Sequence, residues 1–474
     1  MPTPHIITAT RTPLGRFGGS LASLSPIDLG AQVIQSVLKQ AGIPAEAIDC
    51  YIFGNVLRAG HGQHIPRQAA LKAGIPAQVN GYAIDMVCSS GMMSLLNAAM
   101  MIQMGQADLV LAGGIESMSQ AGFFLSHRAR WGYKTLLGAP EPLSDILLVD
   151  GLTDATQGEG MGEQAERLTA LYGFSREALD EVAFQSHQRA TIAREKGSFQ
   201  REISPVTVQV KQKTQTIDQD EGIRSDTTRE ALAKLRPAFH AEGVLTAGNS
   251  SQLTDGAAML LLASETAIDR YGLKPIAKVI GGTMTGGESW RFPEVPVWAV
   301  KKLLEQIGMT VTDIDLFENN EAFAVSNLLF HHLLNIAPEQ LNVNGGAIAL
   351  GHPIGASGAR IVVTLLNALQ ERDRQFGIAS ICHGTGGGTA IGVEQSHDRF
   401  QSIAIDRYGL KTIVALLHPG TTDTRLSQPF QRNVPPEKLF SVDRTVSQLL
   451  AVINSLQIEN SGQFFSWDGS ELPW

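Results

Sequence analysis

Four short stretches hold the residue types that could perform covalent and proton-transfer chemistry. "DMVCSSGMM" places Cys88 between an apolar run and a Ser-Ser-Gly turn, and "GGAIALGHPIGASG" places His352 in a turn region with five glycines. "SICHGTGGG" carries Cys382 and His383 into a glycine run, and "ENNEAF" sets Asn319, Asn320 and Glu321 side by side. A cysteine is by default a small buried hydrophobe, and a single histidine in a glycine-rich turn is commonly structural. The chemical alternative is specific. A thiol attacks well as its thiolate, which a helix N-terminus favours through unpaired N–H groups and partial positive charge. Cys88 stands where a helix should begin, and Ser89, Ser90 and Gly91 are small enough to let a bulky substrate reach the sulfur. An imidazole at His352 could take the thiol proton. Glycine N–H groups after Cys382 could bind a developing oxyanion, and an asparagine at a strand's carboxyl end could fix a water or polarise a carbonyl.

The elements that must position these residues occur twice. "DLGAQVIQSVLKQAG" predicts a helix with Leu29, Val33, Ile34, Val37 and Leu38 on one face, closed by Gly42 and followed by a short strand in "IDCYIFGNV". "VWAVKKLLEQIG" and "DIDLFENN" repeat that order. Leu38, Gln40, Gly42, Ile48 and Asp49 correspond to Leu304, Gln306, Gly308, Ile314 and Asp315 at one constant offset. Further on, "SSGMMSLLNAAMMIQMG" and "ASGARIVVTLLNALQER" each open on Ser-Gly and continue as a helix. Each leads into a strand, "ADLVLAGG" or "IASICHGTGGG", whose nearly unbroken apolar run suits a strand covered on both faces. Two similar α/β halves follow, with Cys88 on one and His352 and Cys382 on the other. Between them lies a more polar segment with the amphipathic helix "FSREALDEVAFQSHQRATIAREKG" and the charged "VKQKTQTIDQDEG", which reads as an insertion forming a lid or substrate domain.

Composition narrows the function classes. The 474 residues are 43% hydrophobic and 18% charged, a globular composition for a chain of two to four domains. The net charge of -9 argues against a nucleic-acid or anionic-membrane surface, leaving small molecules as the expected partners. Cys50, Cys88 and Cys382 are odd in number and far apart, so neither a disulfide framework nor a metal site is expected, and reduced thiols suit the cytoplasm. The amino terminus shows no secretory pattern, and no apolar run reaches about 18 residues, so membrane spanning is not expected.

The four motifs, in this order and spacing, resemble those of the thiolases, enzymes that make or cleave 3-ketoacyl-coenzyme A. The resemblance covers residues 5–395 and includes "TRTPLGRFGGSL", "GNVLRAGHGQHIPRQAALKAGIP", "GGIESMS", "KLRPAF" and "TAGNSSQLTDGAA". It implies an α/β fold of duplicated halves in five αβαβα layers with an inserted loop domain. The implied division is an N-terminal half at 1–118, the loop domain at 119–248, a return segment at 249–270, a C-terminal half at 271–395 and a tail at 396–474. By the same resemblance Cys88 is the acylated nucleophile, His352 activates it, and Cys382 acts as acid and base on the second substrate. Asn320 orients a water that polarises the thioester carbonyl with the histidine, and the backbone N–H groups of Cys88 and Gly384 form a second oxyanion site. Arg224 and Ser251 resemble the family's coenzyme A contacts. The resemblance further implies coenzyme A thioesters as substrates, no separate cofactor or metal, and a homodimer or homotetramer.

Some features depart from the pattern. In "CHGTGGG", His383 and Thr385 stand where many relatives have an apolar residue and a glycine, and in "GEGMGEQAE" Gly160 replaces a histidine common in short-chain members. The tail, with "ALLHPGTTDTRLSQPFQ" and "FFSWDGSELPW", resembles the end of a short-chain dehydrogenase/reductase. No glycine-rich nucleotide fingerprint precedes it, and Tyr408 and Lys411 lie three apart rather than the four of a YxxxK pair, which argues against redox activity. The rival readings are a ketoacyl-synthase-type condensing enzyme, which would carry a histidine in place of Cys382, and a non-catalytic acyl-CoA binder.

Overall fold

The structure is a computed structural model, and it describes residues 2–131, 143–210, 213–396, 416–418, 421–422, 439–456, 464–466, 468 and 470–472. It divides into two units, Met1–Ser396 and His397–Trp474. The second unit contains a helix at Val442–Ser455, capped by the Ser441 side chain, and a parallel pairing of Leu416–His418 with Phe464–Ser466. Tyr408 and Lys411 lie outside the described residues.

The first unit is built on one sheet. Its strands are β1 (His5–Arg11), β2 (Cys50–Gly54), β3 (Asn80–Ile84), β4 (Leu109–Ser117), β7 (Thr254–Ala263), β8 (Ala277–Gly286), β9 (Leu316–Asn319), β10 (Phe376–His383) and β11 (Gly387–Gln395). A separate hairpin supplies β5 (Val206–Val210) and β6 (Lys213–Ile217). One half runs β3-β2-β4-β7-β1 and the other β9-β10-β11-β8, and they join where His5 and Ile6 pair with Lys278 and Ala277. In each half parallel strands are followed by antiparallel ones: β2 and β9 are parallel to β4 and β10, which then pair antiparallel with β7 and β11.

The duplication extends to single hydrogen bonds. Helices α1 (Pro26–Ala41) and α6 (Val295–Ile307) both close on a left-handed glycine, Gly42 at φ 66° and Gly308 at φ 67°, a conformation that carries little penalty without a Cβ. Asp49 accepts the Asp108 and Leu109 N–H groups at 2.8 Å. Its counterpart Asp315 accepts those of Gln375 and Phe376 at 2.9 and 2.8 Å, pinning the start of β10 as Asp49 pins that of β4.

Five layers result. Helices α1 and α2 (Ile65–Ala73) cover one outer face and α6 the other, while α3 (Ser90–Gln103) and α8 (Ile354–Glu371) lie between the half-sheets. The first thirteen residues of α8 are buried, from Ile354 to Leu366 without a break, as expected of a helix with protein on every side. The sequence analysis placed the start of this helix at Ser357. It begins earlier because Pro353, with its fixed φ, serves as the N-cap.

The inserted segment replaces a tight turn. Between β10 and β11 the chain reverses within Gly384, Thr385 and Gly386, whereas the equivalent strands β4 and β7 are separated by residues 118–253. That segment carries α4 (Met161–Tyr172), α5 (Arg176–Glu195) and the β5–β6 hairpin. Its apolar faces are shared out: Val206 and Val208 join the core under α1, and Ala165, Leu168, Leu179 and Ala183 join that of α6 and α7 (Ala324–Leu334). Among the described residues no helix is long and apolar enough to cross a membrane.

Candidate active site

The two middle helices bring the candidate residues together. Cys88 precedes α3 by two residues and His352 precedes α8 by two. The helices cross at Gly91 and Gly358, the second residues of the two Ser-Gly pairs. A Cβ on Gly91 would lie 2.9 Å from the Ala359 nitrogen, and one on Gly358 would lie 2.4 Å from the Met92 nitrogen. Only glycine permits this approach, which sets both helix N-termini at one place.

Cys88 is half-buried and follows a strained residue. Val87 has φ 47°, a rare conformation for a β-branched residue. The turn is fixed from several sides: Val87 N–H donates to Asp85 Oδ1 at 3.3 Å, Met86 N–H donates to Ser90 Oγ at 2.8 Å, and Ser90 Oγ donates to the Val87 carbonyl at 2.6 Å. Such over-determination is how a strained turn persists at a functional site. Desolvation pushes the Cys88 thiol up to about 12, opposed by the nearby Gly384 and Cys88 backbone N–H groups and aided by the charge of Glu116. The helix-terminus expectation of a readily formed thiolate therefore gives way to burial: at rest Cys88 is a thiol.

His352 is buried, and its Nδ1 lies 2.5 Å from Ser357 Oγ, which in turn donates to the Pro353 carbonyl at 2.9 Å. With the hydroxyl proton on that carbonyl, Nδ1 is the donor and Nε2 keeps its lone pair. Nε2 has no protein partner among the described residues, which suits a proton acceptor. Burial, with Arg360 adding to it, holds the imidazole down at about 3. Cys382 is 1% exposed, and burial and then the nearby Cys88 push its thiol well above the usual cysteine range.

The structure separates the three polar residues of "ENNEAF". Asn319 donates to Asn327 at 3.2 Å, and Glu321 accepts from Ser186, Asn327 and Asn342 at 2.7, 2.9 and 2.9 Å. Both are tied into the scaffold. Asn320 is 0% exposed and neither atom of its amide has a protein partner, while its backbone N–H holds it to Ser380 on β10 at 3.0 Å. A buried amide without partners is costly unless it serves something that comes and goes. Gly384 lies beside Met161 and Val87 at one end of a cavity of about 480 Å³ that also meets Val56, Arg58 and Thr385.

Ser251 adjoins the residue that holds the His352 backbone, and Arg224 lies on a separate segment bonded to that residue's side chain. Ser251 N–H donates to the Ala322 carbonyl at 3.0 Å, and next to it the Gln252 carbonyl accepts the His352 N–H at 2.9 Å. The Gln252 side chain also donates to the Gly222 and Ile348 carbonyls at 3.0 and 2.9 Å. Arg224 follows on that segment, its N–H donating to His187 Nδ1 at 3.2 Å and its side chain exposed. Among the described residues no group of metal-ligating side chains is assembled.

Residues 5–266 match the family model of the thiolase N-terminal domain, and residues 273–395 that of the thiolase C-terminal domain. The chain belongs to the thiolase family. Similar relatives include acetyl-CoA acetyltransferases from Synechocystis sp., 65% identical over 82% of this chain and 98% of that protein, and from Escherichia coli, 47% identical with the same coverage. The crystal structure of the Bacillus anthracis acetyl-CoA acetyltransferase superposes with a TM-score of 0.81 at 40% identity, covering 84% of this chain and 99% of that one. An Ascaris suum thiolase in complex with coenzyme A superposes with a TM-score of 0.77, also at 40% identity, over 83% and 100%. This thiolase is thus an acyltransferase, and neither rival reading is favoured.

Sequence reasoning missed several residues that hold the thiolase site together. Glu116, in the quoted "GGIESMS", accepts the Val56, Leu57 and Gly355 N–H groups at 3.1, 3.2 and 2.9 Å and the Asn55 amide at 3.0 Å. It ties the ends of β2 and β4 to the start of α8, and burial pushes its carboxyl up to about 7. Ser357 and Gln252 were missed as well. Only Ser357, five residues after His352, had a local signal.

The depressed His352 has a stability consequence. Its folded value near 3 lies below the ordinary 6.5, so the folded state excludes a proton that the unfolded chain binds. Above about pH 6.5 this costs nothing, and as the pH falls from there toward 3 stability is lost by up to about 1.4 kcal/mol per pH unit. Replacing His352 by Asn should flatten the decline in urea-unfolding free energy between pH 7 and 5. An unchanged slope would show that the imidazole is not held neutral.

Proposed function

We propose that this thiolase interconverts two acetyl-CoA molecules with acetoacetyl-CoA and coenzyme A through an acyl group carried on Cys88. The supporting observation is that Cys88 and the His352 imidazole with its unpartnered Nε2 each stand two residues before a helix, and those two helices cross through glycines. The names of its relatives supply the acetyl-CoA substrate.

In the first half-reaction Cys88 Sγ attacks the thioester carbonyl while His352 Nε2 takes the thiol proton. Both groups are neutral at rest, so charge forms only as substrate arrives and its oxyanion accumulates. Donors aimed at that oxygen stabilise the transition state more than the ground state. We assign the backbone N–H groups of Cys88 and Gly384 to one oxyanion position, and a water held by Asn320 with His352 to the other. Departing coenzyme A leaves as the thiol, protonated from His352. In the second half-reaction His352 Nε2 takes the Cys382 thiol proton as the Cys382 sulfur removes an α-proton from acetyl-CoA, the enolate attacks the acyl carbon, and the departing Cys88 sulfur recovers its proton from His352. One thiol is occupied covalently while another must move protons, which accounts for two cysteines. Arg224 and Ser251 are assigned to coenzyme A.

The same reading treats 119–248 as the loop domain between N- and C-terminal halves, and 396–474 as an appendage related to the end of a short-chain dehydrogenase/reductase without redox activity. It calls for no cofactor besides the thioesters, a homodimer or homotetramer, and a cytoplasmic setting. Incubation with acetoacetyl-CoA and coenzyme A should consume the ketoacyl absorbance. No turnover on short or long 3-ketoacyl-CoA would sink the assignment.

A further inference from the structure

The family pattern leaves His383 and Thr385 without a role, yet both grip one atom. His383 Nδ1 lies 2.7 Å and Thr385 Oγ1 2.5 Å from the Gly384 carbonyl oxygen. A carbonyl oxygen only accepts, so both side chains donate, and the imidazole carries its proton on Nδ1. The His383 bond closes a ring that contains the His383–Gly384 peptide, whose N–H is near enough to Cys88 to favour its thiolate. Turning that peptide breaks the ring. Glycine is the residue with most freedom to turn, and a Cβ on Gly384 would press on Met161 Sδ at 3.3 Å.

The surroundings are built for this grip. His383 and Gly387 are cross-strand partners, and a Cβ on Gly387 would lie 1.8 Å from His383 Nε2. The ring thus folds back over a position that only glycine can provide. Thr385 holds φ 67°, an uncommon conformation for a β-branched residue, and its hydroxyl bond to the preceding carbonyl helps to hold it there.

We infer that His383 and Thr385 are positioning residues, which hold the Gly384 carbonyl and through it the backbone angles of Gly384, so that its N–H stays aimed at the oxyanion site beside Cys88. The inference rests on the thiolase reading and on the oxyanion assignment of Gly384. It explains why the departures from the family pattern flank the glycine that is kept.

Two conservative pairs test it, each separating loss of the donor from loss of shape. Leu at 383 keeps bulk and loses the donor, whereas Asn places an N–H the same number of bonds from Cα as Nδ1. Val at 385 is isosteric without the hydroxyl, whereas Ser retains it. Removing an oxyanion donor outright slows acyl transfer by about 10²–10³-fold, so loosening its aim should have a smaller effect. We expect His383→Leu and Thr385→Val each to lower kcat about tenfold, with KM for coenzyme A within about twofold of wild type. His383→Asn and Thr385→Ser should stay within about twofold in kcat. The rate of Cys88 alkylation by iodoacetamide, read by peptide mapping, should fall in the donor-lacking pair and not in the donor-keeping pair. Equal losses within each pair, or full kcat in the donor-lacking variants, would overturn the inference. Wild-type protein without turnover would instead sink the thiolase reading. The alkylation rates would then decide the inference alone, and equal rates across all four variants would reject it.

Discussion

Cys88→Ala should abolish turnover in both directions, by at least about 10⁴-fold, and leave no acyl group on the protein. The magnitude follows from what the residue carries: without Sγ no covalent intermediate can form, and the remaining donors can only orient substrate. The fold should tolerate the change, because Cys88 is half-buried and the turn around it is held by Asp85, Met86 and Ser90 rather than by the sulfur. After incubation with acetyl-CoA, intact mass measurement should show acetylation of the wild type and none of the variant. Turnover within a hundredfold of wild type would mean that another group carries the acyl chain.

Cys382→Ala should split the reaction. Cys88 and His352 remain, so acetyl-CoA should still acetylate Cys88 and release coenzyme A. Condensation should fall by about 10³–10⁴-fold, since proton abstraction from the second acetyl-CoA has lost its base. The acetyl-enzyme should then accumulate, seen as an acetylated Cys88 peptide that persists after excess donor is removed. The site is buried and the change deletes only a sulfur, so the stability loss should be about 1 kcal/mol. Loss of acetylation together with condensation would show instead that Cys382 is needed to form the acyl-enzyme. The two variants therefore separate nucleophile from base by the species that accumulates, which a rate alone would not do.

The sequence placed the halves and their counterpart residues well, for a physical reason. Helix stops at Gly42 and Gly308 and continuous apolar strands are local signals, set by backbone conformation and by burial on both faces. Asp49 and Asp315 appeared as a matched pair of letters; the structure adds that each holds the first N–H groups of a neighbouring strand. The position of Cys88 before a helix was legible in the same way. Its charge state was not, because a helix N-terminus is a local feature and desolvation depends on everything packed around the sulfur.

Within "ENNEAF" the letters offered three polar residues of equal standing. Only the folded contacts tell them apart: Asn327 on the following helix, with Ser186 and Asn342 from further segments, satisfies Asn319 and Glu321, which leaves the Asn320 amide without a protein partner among the described residues. Glu116 makes the same point, since it works by gathering N–H groups from two segments far apart in the chain, Val56 and Leu57 after β2 and Gly355 in α8.

By itself, then, the sequence offered residues with the chemistry to react and determined that they sit on duplicated α/β halves, because residue type, helix ends and strand burial are written in short patterns. Only the tertiary structure decided which polar side chains stay unpartnered, how far burial shifts each proton, and that His383 and Thr385 converge on the Gly384 carbonyl. Those depend on distances between segments far apart in the chain, and hydrogen bonds and desolvation are set by such distances rather than by neighbouring letters.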